Sequence, residues 1–322
     1  MPKVSIIVPN YNHAHFLRRR MDSIFGQTFQ DFEVILLDDC STDDSRSVLS
    51  SYANDPRVKL AFNDVNSGST FKQWNKGARL ARGEYIWFAE SDDYADPRLL
   101  ERLTASLDRD PSVAFAYCRS RRVYENGRQD GFADYYLEHL DAHRWTADYS
   151  ADGREECKNY FVFANSVPNA SAVVFRHALY EAVGGADESL CVCGDWKLWA
   201  AMALAGRVSY IGEPLNYFRS HEASVRKKTE RTSVDVAENL RVVRWILSQV
   251  TPDACVLDRL YRAESARWVP VLMSRKIPRG LKREIAIQVR AIDPHPIQSA
   301  IRPAFSTLRK ALSRRWRDLS AK

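Results

Sequence analysis

The sequence contains no apolar stretch of about twenty residues, which is the length that a transmembrane helix requires. The longest uncharged segment, 159–175, is interrupted by asparagine, serine and proline. The apolar run at 4–8 is short and is preceded by a single basic residue, Lys3, so it differs from a signal peptide. These absences predict a cytoplasmic protein that does not cross a membrane.

The cysteines and glycines of this chain do not form the patterns that indicate zinc binding or dinucleotide binding. The six cysteines are scattered, and the spacing of the close pair Cys191 and Cys193 is not a usual zinc pattern, so we expect reduced thiols. No glycine occurs at 10–15, directly after the first predicted strand. This argues against a dinucleotide-dependent oxidoreductase, which needs G-x-G-x-x-G there, and against a sugar-nucleotide pyrophosphorylase, which needs a glycine-rich loop.

The net charge of +6 is concentrated at the carboxyl end of the chain. Residues 296–322 include seven basic residues and one acidic residue, which account for the whole excess, and the remaining body is near neutral. A neutral body argues against a general nucleic-acid-binding surface, so we expect no nucleic acid as a partner.

Strand and helix patterns alternate in the first half of the chain. Strands are predicted at 4–8, 32–37 and 58–62, with a fourth after Gly83, and helices at 16–25, 45–52 and 71–81. Repeated units of this kind predict an α/β fold with a mostly parallel central sheet flanked by helices.

The second half of the chain is less regular. Strands are predicted at 113–117, 120–124 and 170–175, a helix at 195–205, and an irregular stretch at 126–153. From about residue 229 the spacing is helical throughout. We therefore predict two parts, an α/β domain at 1–228 and a helical carboxyl-terminal extension at 229–322.

The extension ends in a basic amphipathic pattern at 297–322. Apolar residues recur there at steps of three and four, at Ile297, Ile301, Phe305, Leu308, Leu312, Trp316 and Leu319. Two alternatives fit this pattern. The helix packs on the body or on a second subunit of a homo-oligomer, or it lies on an anionic membrane, which would make the protein peripheral on the inner face of the cell membrane.

Acidic side chains follow the fourth predicted strand at once, in the sequence Ser91-Asp92-Asp93. Ligands of open α/β sheets bind beyond the carboxyl ends of the strands. Carboxylates at that position are hard oxygen ligands for Mg²⁺ or Mn²⁺, and such an ion neutralises a diphosphate. The alternative is that Asp92 or Asp93 only caps a helix.

Polar motifs follow one another along the chain in a definite order. They are VPNYN (8–12), LDDCSTD (37–43), NSG (66–68), NKGA (75–78), SDD (91–93), VGGADE (183–188), GDWKLW (194–199) and YFRSH (217–221). Together they resemble the motifs of the inverting glycosyltransferases of family 2, which have the GT-A fold, over roughly residues 3–226. The resemblance implies sugar transfer from a nucleotide-sugar with the help of Mn²⁺ or Mg²⁺.

The resemblance implies that the first two motifs bind the nucleotide. Asp39 would accept the imino N–H of a pyrimidine base, which both uracil and thymine offer, and guanine is not excluded. Pro9, Asn10 and Tyr11 would line the base and ribose pocket, with Tyr11 as a stacking surface. The alternatives are helix capping for Asp39 and plain loop packing for Tyr11.

Three further residues are candidates for binding the nucleotide-sugar. Asn66 and Gly68 suit a tight turn at a helix N-terminus, where backbone N–H groups meet ligand oxygens. A simple turn is the alternative for both. Arg226, after the last motif, is the basic residue implied to bind phosphate.

The metal site is implied to lie around the acidic triplet. Asp92 would hold the ribose or the ion, Asp93 the ion, and His221 the ion or the diphosphate. Many relatives have an acid two positions before Asp92, where this chain has Glu90. The alternative for His221 is an exposed histidine without a function.

An inverting transfer needs a base that takes a proton from the acceptor hydroxyl. The resemblance implies that this base is Asp195, at the start of a helix whose N-terminus stabilises a carboxylate. Many relatives have a second acid at the position of Gly194. An ordinary N-cap is the alternative role for Asp195, and Asp187 and Glu188 are nearby alternatives as the base.

The predicted function is therefore an inverting, metal-dependent glycosyltransferase of polysaccharide biosynthesis. The donor would be a UDP-sugar or a dTDP-sugar, and the acceptor a hydroxyl of a surface glycan or of its lipid-linked precursor. The alternative is a non-catalytic nucleotide-sugar-binding subunit of a glycan assembly complex, which the departure at Gly194 supports.

Overall fold

The computed structural model describes residues 1–221, 229 and 232–301. The chain divides into two compact units, Met1–Val225 and Arg226–Lys322. The domain boundary predicted after residue 228 falls outside the described residues, and it stays a prediction.

The first unit is built around one ten-stranded sheet. Its strands are β1 (Val4–Val8), β2 (Phe32–Asp38), β3 (Val58–Phe62), β4 (Tyr85–Phe88), β5 (Tyr94–Ala95), β6 (Val113–Tyr124), β7 (Gln129–Phe132), β8 (Tyr149–Asp152), β9 (Val173–Arg176) and β10 (Arg207–Ser220). The order across the sheet is β3-β2-β1-β4-β9-β6-β10-β5, with β7 beside β6 and β8 beside β10. Strands β1 to β4 pair in parallel, and β9 runs antiparallel between β4 and β6.

Helices connect these strands. They are α1 (Ala14–Phe25), α2 (Ser45–Ser50), α3 (Thr70–Leu80), α4 (Leu99–Arg109), α5 (Gly153–Glu156), α6 (His177–Ala182) and α7 (Gly194–Leu204). Short 3₁₀ turns occur at Tyr135–Leu137, Arg144–Thr146 and Ala170–Ala172, and a π-helical turn at Cys157–Phe161.

Strand β1 lies in the centre of the core, and all five of its residues are buried. Ile6 belongs to the cluster on one face of the sheet, which includes residues of α1 and α4. Ile7 points to the opposite face, where α3 approaches so closely that a Cβ on Gly77 would lie 2.3 Å from the Ile7 Cγ2 atom. Coverage by helices on both faces explains why four of the five residues are apolar, and it confirms the predicted α/β architecture.

Two strands extend beyond the sequence prediction. The segments predicted at 113–117 and 120–124 form one strand, β6, because residues 118 and 119 stay paired with β10. Strand β10 was not predicted at all. Its pairing shifts register around Pro214, and such a bulge interrupts the alternation of apolar and polar residues by which a strand is recognised.

The second unit is helical in its described part, as predicted. Its helices are α8 (Val234–Gln249), α9 (Ala254–Met273) and α10 (Arg279–Ile292). Residues 296–301 are helical as well, and 302–322, most of the predicted amphipathic tail, lie outside the described residues. Among the helices that are described, none has the length and apolar character needed to span a bilayer.

Candidate active site

Four polar segments meet at one edge of the sheet. Strands β2, β1 and β4 are parallel neighbours, so the residues that follow Asp38, Val8 and Phe88 lie at the same edge. Strand β10 runs parallel to β6, and the antiparallel β9 separates β6 from β4, so β10 ends at that edge too. His221, directly after β10, is thereby brought near loops that precede it by more than a hundred residues.

Asn10 and Asp38 join the first two of these loops. The Asn10 Nδ2 group donates to Asp38 Oδ2 at 2.9 Å and to Ser41 Oγ at 3.2 Å, and its carbonyl accepts from the Asp39 amide. Burial acts to raise the pKa of Asp38, but bonds from Ser41, Arg46 and Asn10 outweigh burial and lower it. Asn10 and Asp38 therefore hold the loops that carry the nucleotide-binding candidates.

Asp39 is a buried carboxylate with one partly unused oxygen. Its Oδ1 accepts from Asn63 Nδ2 at 2.7 Å, from the Ser67 amide at 2.8 Å and from Gln73 Nε2 at 2.9 Å. Among the described residues, its Oδ2 accepts only from Ser67 Oγ, at 2.8 Å. A carboxylate oxygen has two lone pairs, so Oδ2 keeps the capacity for another donor. The network orients this carboxylate without saturating it.

The remaining nucleotide-binding candidates differ in exposure. Pro9 is buried, whereas the Tyr11 ring is 45% exposed and open to a stacking partner. Asn66 Oδ1 accepts from the Gly68 amide at 2.6 Å, which closes a tight exposed turn. Gly68 has a φ of 69°, a conformation that favours glycine. Arg226 lies outside the described residues.

The acidic residues after β4 point in different directions. Asp93 is 3% exposed, and its Oδ1 accepts from the Arg219 amide of β10 at 2.8 Å. Glu90 accepts from Trp74 Nε1 at 2.7 Å. Burial, and then the charge of Asp92, raise the pKa of Glu90 to about 8 and also raise the pKa of Asp93.

Asp92 instead faces two histidines. His221 Nε2 lies 2.9 Å from Asp92 Oδ2, and one ring nitrogen of His13 completes a group of ligand atoms that all lie within 4.8 Å of one another. Burial opposes ionisation of Asp92, but the bond to His221 and the charges of both imidazoles outweigh it and lower the pKa of Asp92. The same bond raises the pKa of His221.

Two members of this group, Asp92 and His221, have a spacing that fits a divalent cation. Ligands about 2.1 Å from an ion lie about 3 Å apart when adjacent and about 4.2 Å apart when opposite. The separation of 2.9 Å between His221 Nε2 and Asp92 Oδ2 matches an adjacent pair. Carboxylate oxygen and imidazole nitrogen are both ligands of divalent metals. Asp92 and His221 could therefore hold an ion, and Asp93 as a metal ligand stays a prediction.

Asp195 lies in the first turn of α7, as predicted, and is held from two sides. Asn165 Nδ2 donates to Asp195 Oδ2 at 3.0 Å, and the Trp196 amide donates to Oδ1 at 2.7 Å. Asp187 forms an ion pair with Lys197 at 2.6 Å, and Glu188 accepts from Asn75 at 2.8 Å. These two acids hold a loop, whereas Asp195 is half-buried at a helix start.

Helix α3 connects the parts of the site. Three consecutive side chains on it contact three different motifs: Gln73 reaches Asp39, Trp74 reaches Glu90, and Asn75 Nδ2 donates to the Ala186 carbonyl at 2.9 Å. One rigid element therefore sets the relative positions of the nucleotide-binding loop, the acidic loop and the 183–188 loop.

Comparison with known proteins identifies the family. The model of the family described as "Glycosyl transferase family 2" matches residues 5–164. The chain belongs to glycosyl transferase family 2. The recognition made from the motifs is thereby confirmed.

Individual relatives match parts of the chain. A stretch of 110 residues is 36% identical to the poly(ribitol-phosphate) beta-N-acetylglucosaminyltransferase TarS of Staphylococcus aureus, which covers 34% of this chain and 19% of TarS. The match thus spans about a fifth of that relative's length.

Two solved structures share the fold. The first is S. aureus TarS 1-349 in complex with UDP-GlcNAc (TM-score 0.68, 20% identity, 93% of this chain and 84% of that one). The second is the mannosyltransferase PcManGT of Pyrobaculum calidifontis in complex with GDP-Man and Mn²⁺ (TM-score 0.59, 15% identity, 92% and 87%). These likenesses confirm the predicted GT-A fold.

Sequence reasoning missed several side chains of this family 2 site. His13, Gln73, Trp74 and Asn165 were not singled out, although each contacts a residue that was. His13 lies one residue beyond the VPNYN motif, and Gln73 and Trp74 directly precede NKGA. Extending each motif by a few residues would have found these three. Asn165 carries no such signal, because it reaches Asp195 from a separate loop.

Arg20 is a further residue that the sequence did not indicate. Its guanidinium is fully buried, its Nε donates to the Glu90 carbonyl at 2.8 Å, and one Nη donates to Ser171 Oγ at 3.0 Å. Burial lowers the pKa of Arg20 to about 10, which leaves it charged at neutral pH. A buried cation beneath the acidic loop offsets part of the negative charge there.

Gly194, where many family 2 relatives have an acid, has a packing role. A Cβ at this position would lie 2.5 Å from the Cε2 atom of the buried Phe71 ring. A side chain at 194 is therefore excluded unless Phe71 moves.

Replacing Gly194 with alanine is expected to destabilise the fold by about 1–3 kcal/mol, because the added methyl group overpacks against Phe71. Melting followed by circular dichroism should show a decrease of several degrees. Gly280→Ala is the matched control, because a Cβ there would meet no atom within 4 Å. A Gly194→Ala protein that melts at or above the wild-type temperature would contradict the packing argument.

Proposed function

We propose that this family 2 glycosyltransferase transfers a sugar, with inversion, from a nucleotide-sugar to a hydroxyl acceptor. The observation that carries the proposal is the set of contacts made by α3. They tie Asp39, the acidic loop and the 183–188 loop together at one edge of the sheet. This is the edge at which open α/β sheets bind their ligands.

Nucleotide recognition is assigned to Asp39 and its neighbours. The free lone pair of Asp39 Oδ2 would accept the imino N–H of uracil or thymine, and Tyr11 would stack on the base. Pro9 and Asn10 would shape the pocket, and the Asn66–Gly68 turn and Arg226 would contact phosphate oxygens. A UDP-sugar is our first choice of donor, since the related TarS has been solved with UDP-GlcNAc, and a dTDP-sugar is the second.

The metal is proposed to be Mn²⁺ or Mg²⁺ at Asp92 and His221, with Asp93 as the ligand that sequence resemblance adds. The fold relative PcManGT has been solved with Mn²⁺. When bound, such an ion stabilises the charge that develops on the departing diphosphate. Asp93 orients the acidic loop by accepting from the Arg219 amide.

Asp195 is the proposed general base. It would accept the proton of the acceptor hydroxyl as that oxygen attacks the anomeric carbon on the face opposite the leaving group. The Asn165 and Trp196 donors hold its two oxygens, and the start of α7 stabilises its charged form.

Asn165→Ala is expected to lower the rate of transfer by about tenfold, because a hydrogen bond to a charged group contributes about 1.5 kcal/mol. Donor binding should stay unchanged, since the hydrogen bonds of Asn165 within the described residues join it to Asp195, Val167 and Tyr136, and none of these is a nucleotide-binding candidate. Initial-rate kinetics with an acceptor and titration with UDP separate the two effects. Equal losses in transfer and in UDP affinity would show that Asn165 supports the fold and not the base.

The acceptor is proposed to be a hydroxyl of a surface glycan or of a lipid-linked precursor. Segment 126–169 supplies Asn165 to the proposed base, and this contact supports a role of the segment in reading the acceptor. Attachment of the 297–322 tail to a membrane surface, or to a second subunit, stays a prediction, because most of the tail lies outside the described residues.

The non-catalytic alternative rests on the missing acid at position 194. Contact with the Phe71 ring gives Gly194 a structural reason to lack a side chain, so its identity does not indicate a lost activity. Asp195 keeps an ordered carboxylate beside it. We therefore favour the enzyme over the binding subunit.

The decisive experiment is a panel of UDP-, dTDP- and GDP-sugars, assayed for binding and hydrolysis with Mn²⁺ and with EDTA. Metal-dependent turnover of one donor would establish the enzyme and name its donor. Binding without turnover would direct an acceptor screen, with Asp195→Asn as the inactive control. Failure to bind any nucleotide-sugar would refute the proposal.

A further inference from the structure

His13 is a half-buried histidine whose ring is held at the edge where the acidic loop lies. Its Nδ1 forms a 2.8 Å hydrogen bond with Ser91 Oγ, and Ser91 itself is 2% exposed. The ring packs edge-on against His221, with 5.6 Å between ring centroids, and against Phe16 at 5.7 Å. Two aromatic neighbours and one hydrogen bond therefore hold the imidazole in place.

The hydrogen bond to Ser91 decides which nitrogen can serve a ligand. When Nδ1–H donates to Ser91 Oγ, Nε2 carries the free lone pair. Histidines that bind metals commonly donate their other ring N–H to a neighbouring acceptor, which fixes the tautomer and the ring orientation. Ser91 occupies that supporting position for His13.

We propose that His13 joins Asp92 and His221 as a side-chain ligand of the divalent cation, so that two imidazoles take part in holding the ion. One ring nitrogen of His13 and the ligand atoms of Asp92 and His221 lie within 4.8 Å of one another, a spacing that a small adjustment around one ion would close. The inference rests on the proposed function, because it adds a ligand to the metal of that same site.

The ligand atoms of this site determine which metal ion it prefers. Mg²⁺ binds almost entirely through oxygen and keeps several waters, whereas transition ions accept imidazole nitrogen. With two imidazoles supplied by the protein, the site prefers Mn²⁺ to Mg²⁺. A site built from carboxylates alone would show a much weaker preference.

The alternative to this proposal is that His13 has only a packing role. Its contacts with Phe16 and His221 would be made by any flat ring, and its bond to Ser91 would only tie the first loop to the acidic loop. The two roles separate in a measurement of metal binding, because a packing residue changes stability without removing a nitrogen from the ion.

The test measures Mn²⁺ binding to the full, metal-free chain by electron paramagnetic resonance, with no donor present. His13→Asn keeps an amide near the Nδ1 position, where it can still reach Ser91, and removes the Nε2 ligand. We expect Mn²⁺ affinity to fall at least tenfold and the preference over Mg²⁺ to shrink. His15→Asn is the matched control, since His15 is exposed two residues away and lies outside the cluster.

Nitrogen couplings in the pulsed spectrum of Mn²⁺ bound to the wild-type chain give the number of imidazole nitrogens on the ion. This number does not depend on whether the variant folds. The wild-type chain should show two imidazole nitrogens, and one nitrogen would overturn the proposal. Unchanged affinity and metal preference in His13→Asn would overturn it as well. If Asp92→Asn and His221→Asn weaken Mn²⁺ binding and His13→Asn does not, only this inference fails. If none of the three does, the metal part of the proposed function fails too.

Discussion

Asp195→Asn should lower the rate of sugar transfer by about a thousandfold, the effect of losing a general base. Asparagine keeps the shape of the side chain and an oxygen that can accept from Asn165 or from the Trp196 amide, so the fold should be retained. Affinity for the donor should not change, because the base acts on the acceptor. Single-turnover transfer and calorimetric titration with UDP measure the two quantities.

Asp187→Asn is the control for the nearby alternative base. Asp187 pairs with Lys197 at 2.6 Å; burial alone would raise the pKa of Asp187, but Lys197 and Ser189 lower it to about 2. So strong an ion pair suits a structural acid, and we expect the variant to lose some stability and to keep transfer within a few-fold of wild type. The assignment of the base would move to Asp187 if this variant, and not Asp195→Asn, were inactive.

Asp92→Asn should abolish metal-dependent turnover of the donor. The ion is expected to contribute several kcal/mol to stabilisation of the leaving diphosphate, so turnover should fall at least a hundredfold. Removing the charge of Asp92 leaves His221 without its carboxylate partner, and Mn²⁺ affinity should fall with the activity. Titration of Mn²⁺ and assays of donor hydrolysis test both effects.

Comparison with Asp93→Asn distinguishes the two adjacent carboxylates. Asp93 is buried against the Arg219 amide, so we expect its replacement to lower thermal stability and to reduce Mn²⁺ affinity less than Asp92→Asn does. A larger loss of Mn²⁺ affinity in Asp93→Asn would assign the ion to Asp93, as sequence resemblance predicts, and would require the acidic loop to turn when metal binds.

Much of the fold was predictable because its signals are local. The limits predicted for β1 and β3 agree with the structure, since each is a short, mostly apolar segment between polar residues. Strand β10 was missed because the bulge around Pro214 breaks its pattern. Its fourteen residues pair with three other strands, and such long-range pairing compensates for a weak local preference.

The candidate site was predictable to the level of motifs and not of contacts. Ligands were expected beyond the carboxyl ends of the predicted strands, and the structure brings Asp39 and Asp92 to one edge, together with His221 after the unpredicted strand β10. The hydrogen-bonded pair His13 and Ser91 is separated by 78 residues in sequence, and the pair Arg20 and Ser171 by 151 residues. Spacing along the chain carries no information about such pairs.

By itself, the amino-acid sequence determined the family and the α/β architecture, and its motifs predicted part of the candidate site. Tertiary structure alone decided which of two adjacent aspartates faces the histidines. Pairing of Tyr217 with Tyr94 sets the position of β10 relative to the acidic loop. That register places the Arg219 amide against Asp93 and His221 against Asp92. A shift of one residue would move every side chain of the strand to the opposite face, which is why no local pattern could have specified the choice.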